Sequence, residues 1–352
     1  MSDTRNIRWG IIGAGGIARQ FASDIRHAQG ASLTAVATRG PAKAQAFAGD
    51  QGDVTGFGSL SEMLASGRID AAYIATPNSV HHAQALACIA AGMPVLVEKP
   101  LTANLEAALE IEAAARQAGV FVMEAMWSRY LPAMQAARKA IRDGAIGTVR
   151  RLEADLAWKV DYNPSHRLFN KAQGGGALYD LGVYPISLAR WFLGEPQEVS
   201  GVWRPAPSGV DMSAELTLQY HAAEARISCG IDRDGDNRMI IEGDKGVIVL
   251  GPLFIKATGF AIYPSRAIAD WAQPGGSAAP TRLRRKLLGL LPLPGVKRHA
   301  FALKGSGLEF EIEAASNAIR QGLTEEPDNP LDETIANLRM IDTVLTAPPR
   351  RN

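Results

Sequence analysis

Three short stretches of the chain hold residue types whose order could do redox chemistry. Gly13-Ala14-Gly15-Gly16-Ile17-Ala18 follows the apolar run Trp9–Ile12; Glu98-Lys99-Pro100 closes a second apolar run, Pro94–Val97. Far downstream lies Gly174-Gly175-Gly176-Ala177-Leu178-Tyr179-Asp180-Leu181-Gly182-Val183-Tyr184. A glycine loop between strand and helix is a dinucleotide-binding fingerprint. Gly13 permits the tight turn, Gly15 lets the backbone approach the pyrophosphate, and Ala18 allows close helix–sheet packing. Free N–H groups near Gly16 and Ile17 would bind phosphate oxygens, aided by the helix dipole. Hydride transfer from an alcohol leaves an O–H proton to remove, so some side chain must act at the carbinol oxygen.

The end of the second strand bears on cofactor choice. An NAD site places Asp or Glu there to bind the ribose 2′-hydroxyl. Here the residues are Ala37-Thr38-Arg39-Gly40-Pro41-Ala42-Lys43, with a hydroxyl at Thr38, cations at Arg39 and Lys43, and no carboxylate. A guanidinium binds a 2′-phosphate through two donors. NADP is favoured over NAD, and NAD stays open because Arg39 can also stack on adenine without choosing. Thr76-Pro77-Asn78-Ser79-Val80-His81 follows another strand end, and strand C-termini form the ligand crevice of such sheets. Thr76 and Pro77 are expected as backbone contacts. Asn78 and His81 are either cofactor contacts or part of the start of the next helix.

The elements that must position these residues read as follows. Strand-like runs Arg8–Ile12, Leu33–Thr38, Ala71–Thr76, Val95–Glu98 and Val120–Glu124 alternate with helix-like segments Ile17–Ala28, Ala42–Gly49, Ser59–Ala65, Ser79–Ala91 and Leu105–Ala118. That alternation predicts βαβ units and a doubly wound parallel sheet. Downstream, strand-like runs succeed one another between Thr148 and Leu250 with the helix Leu181–Phe192 among them, which predicts a largely antiparallel open sheet. Pro185 is tolerated only in a first turn, so that helix should begin close to Leu181–Tyr184. The expectation is a Rossmann domain over residues 1–126 and an α+β domain over 127–352, with the helix near 331–345 packing back on the first.

The order and spacing of the motifs resemble the glucose-fructose oxidoreductase/inositol dehydrogenase/MocA-like dehydrogenases, from Ile7 to about Leu345. The resemblance implies that Lys99 and Asp180 belong to the reacting end, and that the Thr76–His81 loop lines ribose and nicotinamide. The family pattern ends in His where this chain has Tyr184. A Tyr there, with the run Met123–Pro132, resembles the subgroup holding dimeric dihydrodiol dehydrogenase and NADP-dependent D-xylose dehydrogenase. A phenol, with pKa about 10, is a poor base until a nearby ammonium favours its ionised form. Tyr184 is therefore expected as general acid/base, Lys99 as its electrostatic partner, and Asp180 as the group orienting Lys99 or a substrate hydroxyl. Trp127, Arg129, Trp158, Lys159, Arg167 and Phe169 are candidate cofactor or substrate neighbours, Trp158 and Phe169 being equally explicable as core.

The expected substrate is a sugar, polyol or cyclic diol. A keto-sugar reductase, a glucose-fructose oxidoreductase-like enzyme and a non-catalytic NADP sensor are the alternatives. With 352 residues, 37 basic against 36 acidic groups and a net charge of +1, no nucleic-acid partner is expected. Two cysteines suit a reducing cytosol, and the six histidines lack metal-ligand spacing. The polar start Met1–Arg8 and the shortness of every apolar run predict neither a secretory leader nor a membrane span. A homodimer or higher homo-oligomer is expected. The basic, leucine-rich stretch Thr281–Leu291 reads as a surface helix or an insertion against a second subunit, with a membrane-surface helix as the rival.

Overall fold

The computed structural model describes residues 5–350 other than 277. The N-terminal part builds β1 (Ile7–Ile12), α1 (Gly16–Asp24), β2 (Ala31–Ala37), α2 (Pro41–Gly49), β3 (Thr55–Phe57), α3 (Leu60–Ala65), β4 (Ala71–Ile74), α4 (His81–Ala90), β5 (Val95–Glu98), α5 (Leu105–Ala118) and β6 (Val122–Ala125). The six strands form one parallel sheet in the order β3-β2-β1-β4-β5-β6. β4, β5 and β6 are buried at every residue, as the uninterrupted apolar runs require of strands covered on both faces. The strand order reverses between β1 and β4, and such a switch point is where this architecture binds ligands.

The next part holds α6 (Pro132–Arg142), β7 (Val149–Ala157), α7 (Val183–Leu193), β8 (Glu198–Pro205), β9 (Asp211–Gln219), β10 (Glu224–Gly230), β11 (Met239–Gly243), β12 (Val247–Leu250), β13 (Gly259–Tyr263), α8 (Arg266–Ala272), α9 (Ala279–Leu290) and β14 (Lys297–Ala300). Its eight strands run β14-β13-β12-β11-β7-β10-β9-β8, antiparallel except for the β7–β10 pair. Leu152, Ala154 and Leu156 of β7 and Ala225, Ile227 and Cys229 of β10 are buried, while Arg151, Glu153 and Asp155 alternate with them. One face is thus core and the other polar. α7 is apolar nearly all round and is buried from Val183 to Trp191. α9 presents Leu283 and Leu287 outward, and Leu291, just past its end, is exposed too.

Two helices complete the chain, α10 (Leu308–Arg320) and α11 (Leu331–Thr346). The chain divides into two compact units, and the first takes back Leu303–Leu338 after running through Tyr130. The second comprises Leu131–Ala302 and the residues from Arg339 onward. Within the first unit, Phe21 stacks on Tyr73 with ring centroids 3.9 Å apart, and Trp9 meets Phe21 edge-on. The Trp9 indole N–H donates to Ser316 Oγ at 3.0 Å, fixing α10 against β1. α1 ends at Asp24, short of Ala28, the end expected from its periodicity, and Asp24 serves another helix. Its carboxylate accepts from the N–H groups of Ser306 and Leu308 and from the Ser306 hydroxyl, capping the start of α10.

The expected two-part α/β fold is the observed one. Three strands escaped the sequence pattern: β3 is three residues long, β13 lies beyond the last strand-like run identified, and β14 (Lys-Arg-His-Ala) is an exposed edge without alternation. The helix expected from Leu181 starts earlier, as a π-turn over Leu178–Gly182 that leads directly into α7. Pro185 has no N–H to donate to the preceding turn, and widening that turn accommodates the gap.

Candidate active site

At the switch point, Gly13 has φ +116°, and a Cβ there would stand 2.6 Å from the Ala75 carbonyl oxygen. Only glycine lets the β1–α1 turn pass so close to the end of β4. Gly15 and Gly16 face open space where side chains would be. α1 starts at Gly16 with neither a side-chain cap nor an acidic residue in its first turn, and Ala18 is buried. An uncapped, uncrowded helix start of this kind fits a dinucleotide pyrophosphate, with Ile17 in the first turn adding its N–H.

Beyond β2 the Thr38 hydroxyl donates to the Gly40 carbonyl, and Gly40 at φ +143° turns the chain into α2, whose first residue is Pro41. Arg39 and Lys43 are exposed, and neither is in an ion pair among the described residues. Two unpaired cations and no carboxylate at this strand end suit a 2′-phosphate.

Thr76, Pro77 and Asn78 lie on the loop after β4, with Asn78 opening a 3-10 turn. His81 is fully buried, its Nδ1 3.0 Å from the Pro100 carbonyl oxygen and its Nε2 2.8 Å from that of Thr76. Burial pulls its pKa below the usual imidazole value, against those backbone hydrogen bonds. The ring thereby ties the Thr76 loop to Pro100, whose peptide bond with Lys99 is cis.

Lys99 is half-buried at the end of β5, in front of buried carboxyl groups. Glu98 accepts from the Tyr73 hydroxyl and from the Lys99 N–H. Burial pushes its pKa up to about 6, against the pull of the Tyr73 hydroxyl and the Lys99 charge. Glu124 accepts from the Leu101 N–H and the Thr334 hydroxyl, and burial raises it too. Glu311, on α10, is fully buried, and neither carboxyl oxygen has a hydrogen-bond partner among the described residues. Burial, with Glu98 and Asp24 nearby, holds its pKa well above the carboxylate range. Trp127 and Arg129 are buried on the turn after β6. The Arg129 guanidinium donates to the Asp328 carbonyl at 2.8 Å and pairs with Glu333 at 3.3 Å, so much of its hydrogen bonding serves the first unit's own framework.

In the second unit, Tyr184 is the second residue of α7 and is buried. Asp180 lies in the π-turn and accepts from Arg167 Nη1 at 3.0 Å. Arg167 is 54% exposed. The glycine run is explained by close approaches: a Cβ at Gly175 would meet the Arg167 and Leu168 carbonyls at 2.6 Å. At Gly176, with φ +131°, a Cβ would strike Asp211. Asp211, at the start of β9, accepts from the Leu178 N–H at 2.6 Å. Phe169 is core, packed edge-on against Tyr162; Trp158 is half-buried and Lys159 exposed.

The structure brings Thr76, His81, Glu98, Lys99 and Pro100 into one cluster, and Arg167, Asp180 and Tyr184 into one segment. Sequence reasoning missed Asp211, Glu311 and Tyr73. Tyr73 is the only polar side chain in β4, the one signal that could have marked it. Among the described residues, no group of three or more His, Cys, Asp or Glu could hold a metal ion, and no helix is long and apolar enough to cross a membrane.

Residues 7–126 match the family model described as oxidoreductase family, NAD-binding Rossmann fold, and residues 134–249 match the GFO/IDH/MocA C-terminal domain. The chain is 32% identical over 337 residues to trans-1,2-dihydrobenzene-1,2-diol dehydrogenase of Mus musculus, covering 93% of this chain and 92% of that protein. The enzyme of the same name from Homo sapiens is 29% identical over 333 residues, with the same coverage of each chain. Among solved structures, a 3-ketoreductase from Actinomadura kijaniata in complex with NADP and TDP-benzene superposes with a TM-score of 0.80 at 22% identity, covering 98% of each chain. An aldose-aldose oxidoreductase from Caulobacter crescentus complexed with glycerol gives 0.79 at 22% identity, covering 97% of this chain and 96% of that one.

Proposed function

Since the chain belongs to the GFO/IDH/MocA oxidoreductase family, we propose that it is an NADP-dependent dehydrogenase of a cyclic trans-diol or a sugar. The observation that carries this reading is the near full-length similarity to trans-dihydrodiol dehydrogenases, together with an intact Lys99, Asp180 and Tyr184 set. The uncapped start of α1 takes the pyrophosphate, and Arg39 with Lys43 takes the 2′-phosphate. NADP⁺, when bound, supplies the hydride acceptor.

Tyr184 removes the hydroxyl proton as the carbinol carbon loses its hydride, and returns it when the reaction runs backward. Lys99 donates to the same oxygen and stabilises its developing negative charge, which also lowers the cost of ionising the phenol. Asp180, oriented by Arg167, holds a neighbouring substrate hydroxyl. His81 and Glu98 fix the backbone on which Lys99 stands. The same groups run in reverse would reduce a keto-sugar, so direction is set by supply.

The test is nicotinamide absorbance with NADP⁺ or NAD⁺ against cyclic trans-diols, aldopentoses, aldohexoses and inositols. Turnover with NADP⁺ on the diols or one sugar class is the expected result. Tight NADP binding without turnover in either direction would replace this reading with that of a sensor.

A further inference from the structure

Asp211 is 2% exposed, and no cation pairs with it among the described residues. A buried, unpaired carboxylate is costly, so its hydrogen bonds must offset the lost hydration. Those bonds all go to backbone: Oδ2 accepts from the Leu178 N–H at 2.6 Å, and the Ala177 N–H also contributes. Both N–H groups are donors that a helix start leaves without an intrahelical partner. The approach is possible only because residue 176 is glycine, since a Cβ there would lie 2.1 Å from Oδ1.

The segment served is the one carrying Asp180 and Tyr184. Its backbone ladder is interrupted, because Pro185 has no N–H to donate and the turn before it is a π-turn. The missing donor at Pro185 leaves one rung fewer to hold the turn, beside the bonds from the Asp180 N–H to the Gly176 carbonyl and from the Val183 N–H to the Leu178 carbonyl. A carboxylate reaching across from β9 supplies an external fixed point.

We propose that Asp211 is a positioning residue for the reacting end, its carboxylate setting where the Leu178–Gly182 turn, and with it Asp180 and Tyr184, stands. This rests on the reading of Asp180 and Tyr184 given above. Asp211 touches neither substrate nor cofactor in this role; it acts through the backbone.

The test uses the full chain with Asp211→Asn, which keeps one acceptor oxygen, and Asp211→Ala, which keeps none. Amide hydrogen exchange in a peptide spanning residues 176–184 should accelerate at least about tenfold in the alanine variant and less in the asparagine variant, with residues 7–24 unchanged, the scale expected for losing a charge-assisted hydrogen bond. Turnover number should fall about 10–100-fold in the alanine variant and be partly rescued by asparagine, while KM for NADP stays within about twofold. A folded alanine variant with wild-type exchange over 176–184, or with turnover within about twofold of wild type, would overturn the proposal. If the alanine variant does not fold, the asparagine variant decides: wild-type exchange and turnover in it would also overturn the proposal. Exchange reads Asp211 even if no substrate is turned over, so failure of the functional reading is distinguishable from failure of this one.

Discussion

Around Lys99 the supporting groups are ionisable and buried: Glu98, Glu124 and Glu311, with Tyr73 and His81 tying carboxyl and carbonyl oxygens together. Around Tyr184 they are apolar, a helix buried from Val183 to Trp191, with the Asp211 carboxylate accepting from the backbone before its start. The lysine end is held by charge and protonation, so it should answer to pH. The tyrosine end is held by backbone geometry and close glycine approaches, so it should answer to changes of shape, and to pH only through Asp211, whose carboxyl burial pushes up to about 6.

The largest effect that could break this contrast comes from the reacting groups. Tyr184→Phe should lower the turnover number by about 100–10,000-fold, the usual worth of a positioned acid/base group. Lys99→Met should lower it by about 100–1,000-fold. Both should still bind NADP when titrated by nicotinamide fluorescence, and normal turnover in both would dissolve the assignment. Next in size, Arg39→Ala should raise KM for NADP by about 10–100-fold, the value of a charge-assisted contact, and leave KM for NAD unchanged. Equal losses for the two cofactors would move the 2′-phosphate elsewhere.

A subtler test separates the two kinds of support. Burial raises the folded-state pKa of Glu311 above its ordinary 4.5, so the folded chain holds that proton more tightly than the unfolded chain. Glu311 therefore lowers stability progressively as pH rises above 4.5. Glu311→Gln should raise the melting temperature at pH 8 by about 2 °C or more, and less at pH 5, in calorimetry. A pH-independent shift would mean that the carboxyl is not the cause. The smallest effect belongs to Arg167→Ala. Its ion pair with Asp180 is half exposed, and such pairs are worth about 1 kcal/mol at most, so substrate KM should change by less than about fivefold. A hundredfold change would put Arg167 itself on the substrate.

Most of the fold was legible because βαβ alternation and the glycine turn are local signals. Gly13, the end of β2, the Glu98-Lys99-Pro100 run and the Asp180–Tyr184 segment were all identifiable from spacing and family resemblance. Asp211 and Glu311 were not, because their meaning depends on partners far away in sequence. Asp211 meets Leu178 thirty-three positions back, and Glu311 is unusual only because α10 buries it near Glu98. The glycine run at 174–176 was visible, yet its physical cause, space for two carbonyls and a carboxylate, belongs to tertiary structure. The edge strand β14 carries no apolar alternation, so nothing local marked it.

The return of Leu303–Leu338 to the first unit has a consequence for synthesis. Trp9 must wait for Ser316, 307 residues later, and at about 5–20 residues per second that is roughly 15–60 s of translation. During that interval the nascent β1 face lacks the helix that covers it, while the whole intervening eight-stranded sheet emerges. The inserted unit therefore has time to fold before its host is complete, and chaperones would meet the aromatic column of Trp9, Phe21 and Tyr73 before α10 does.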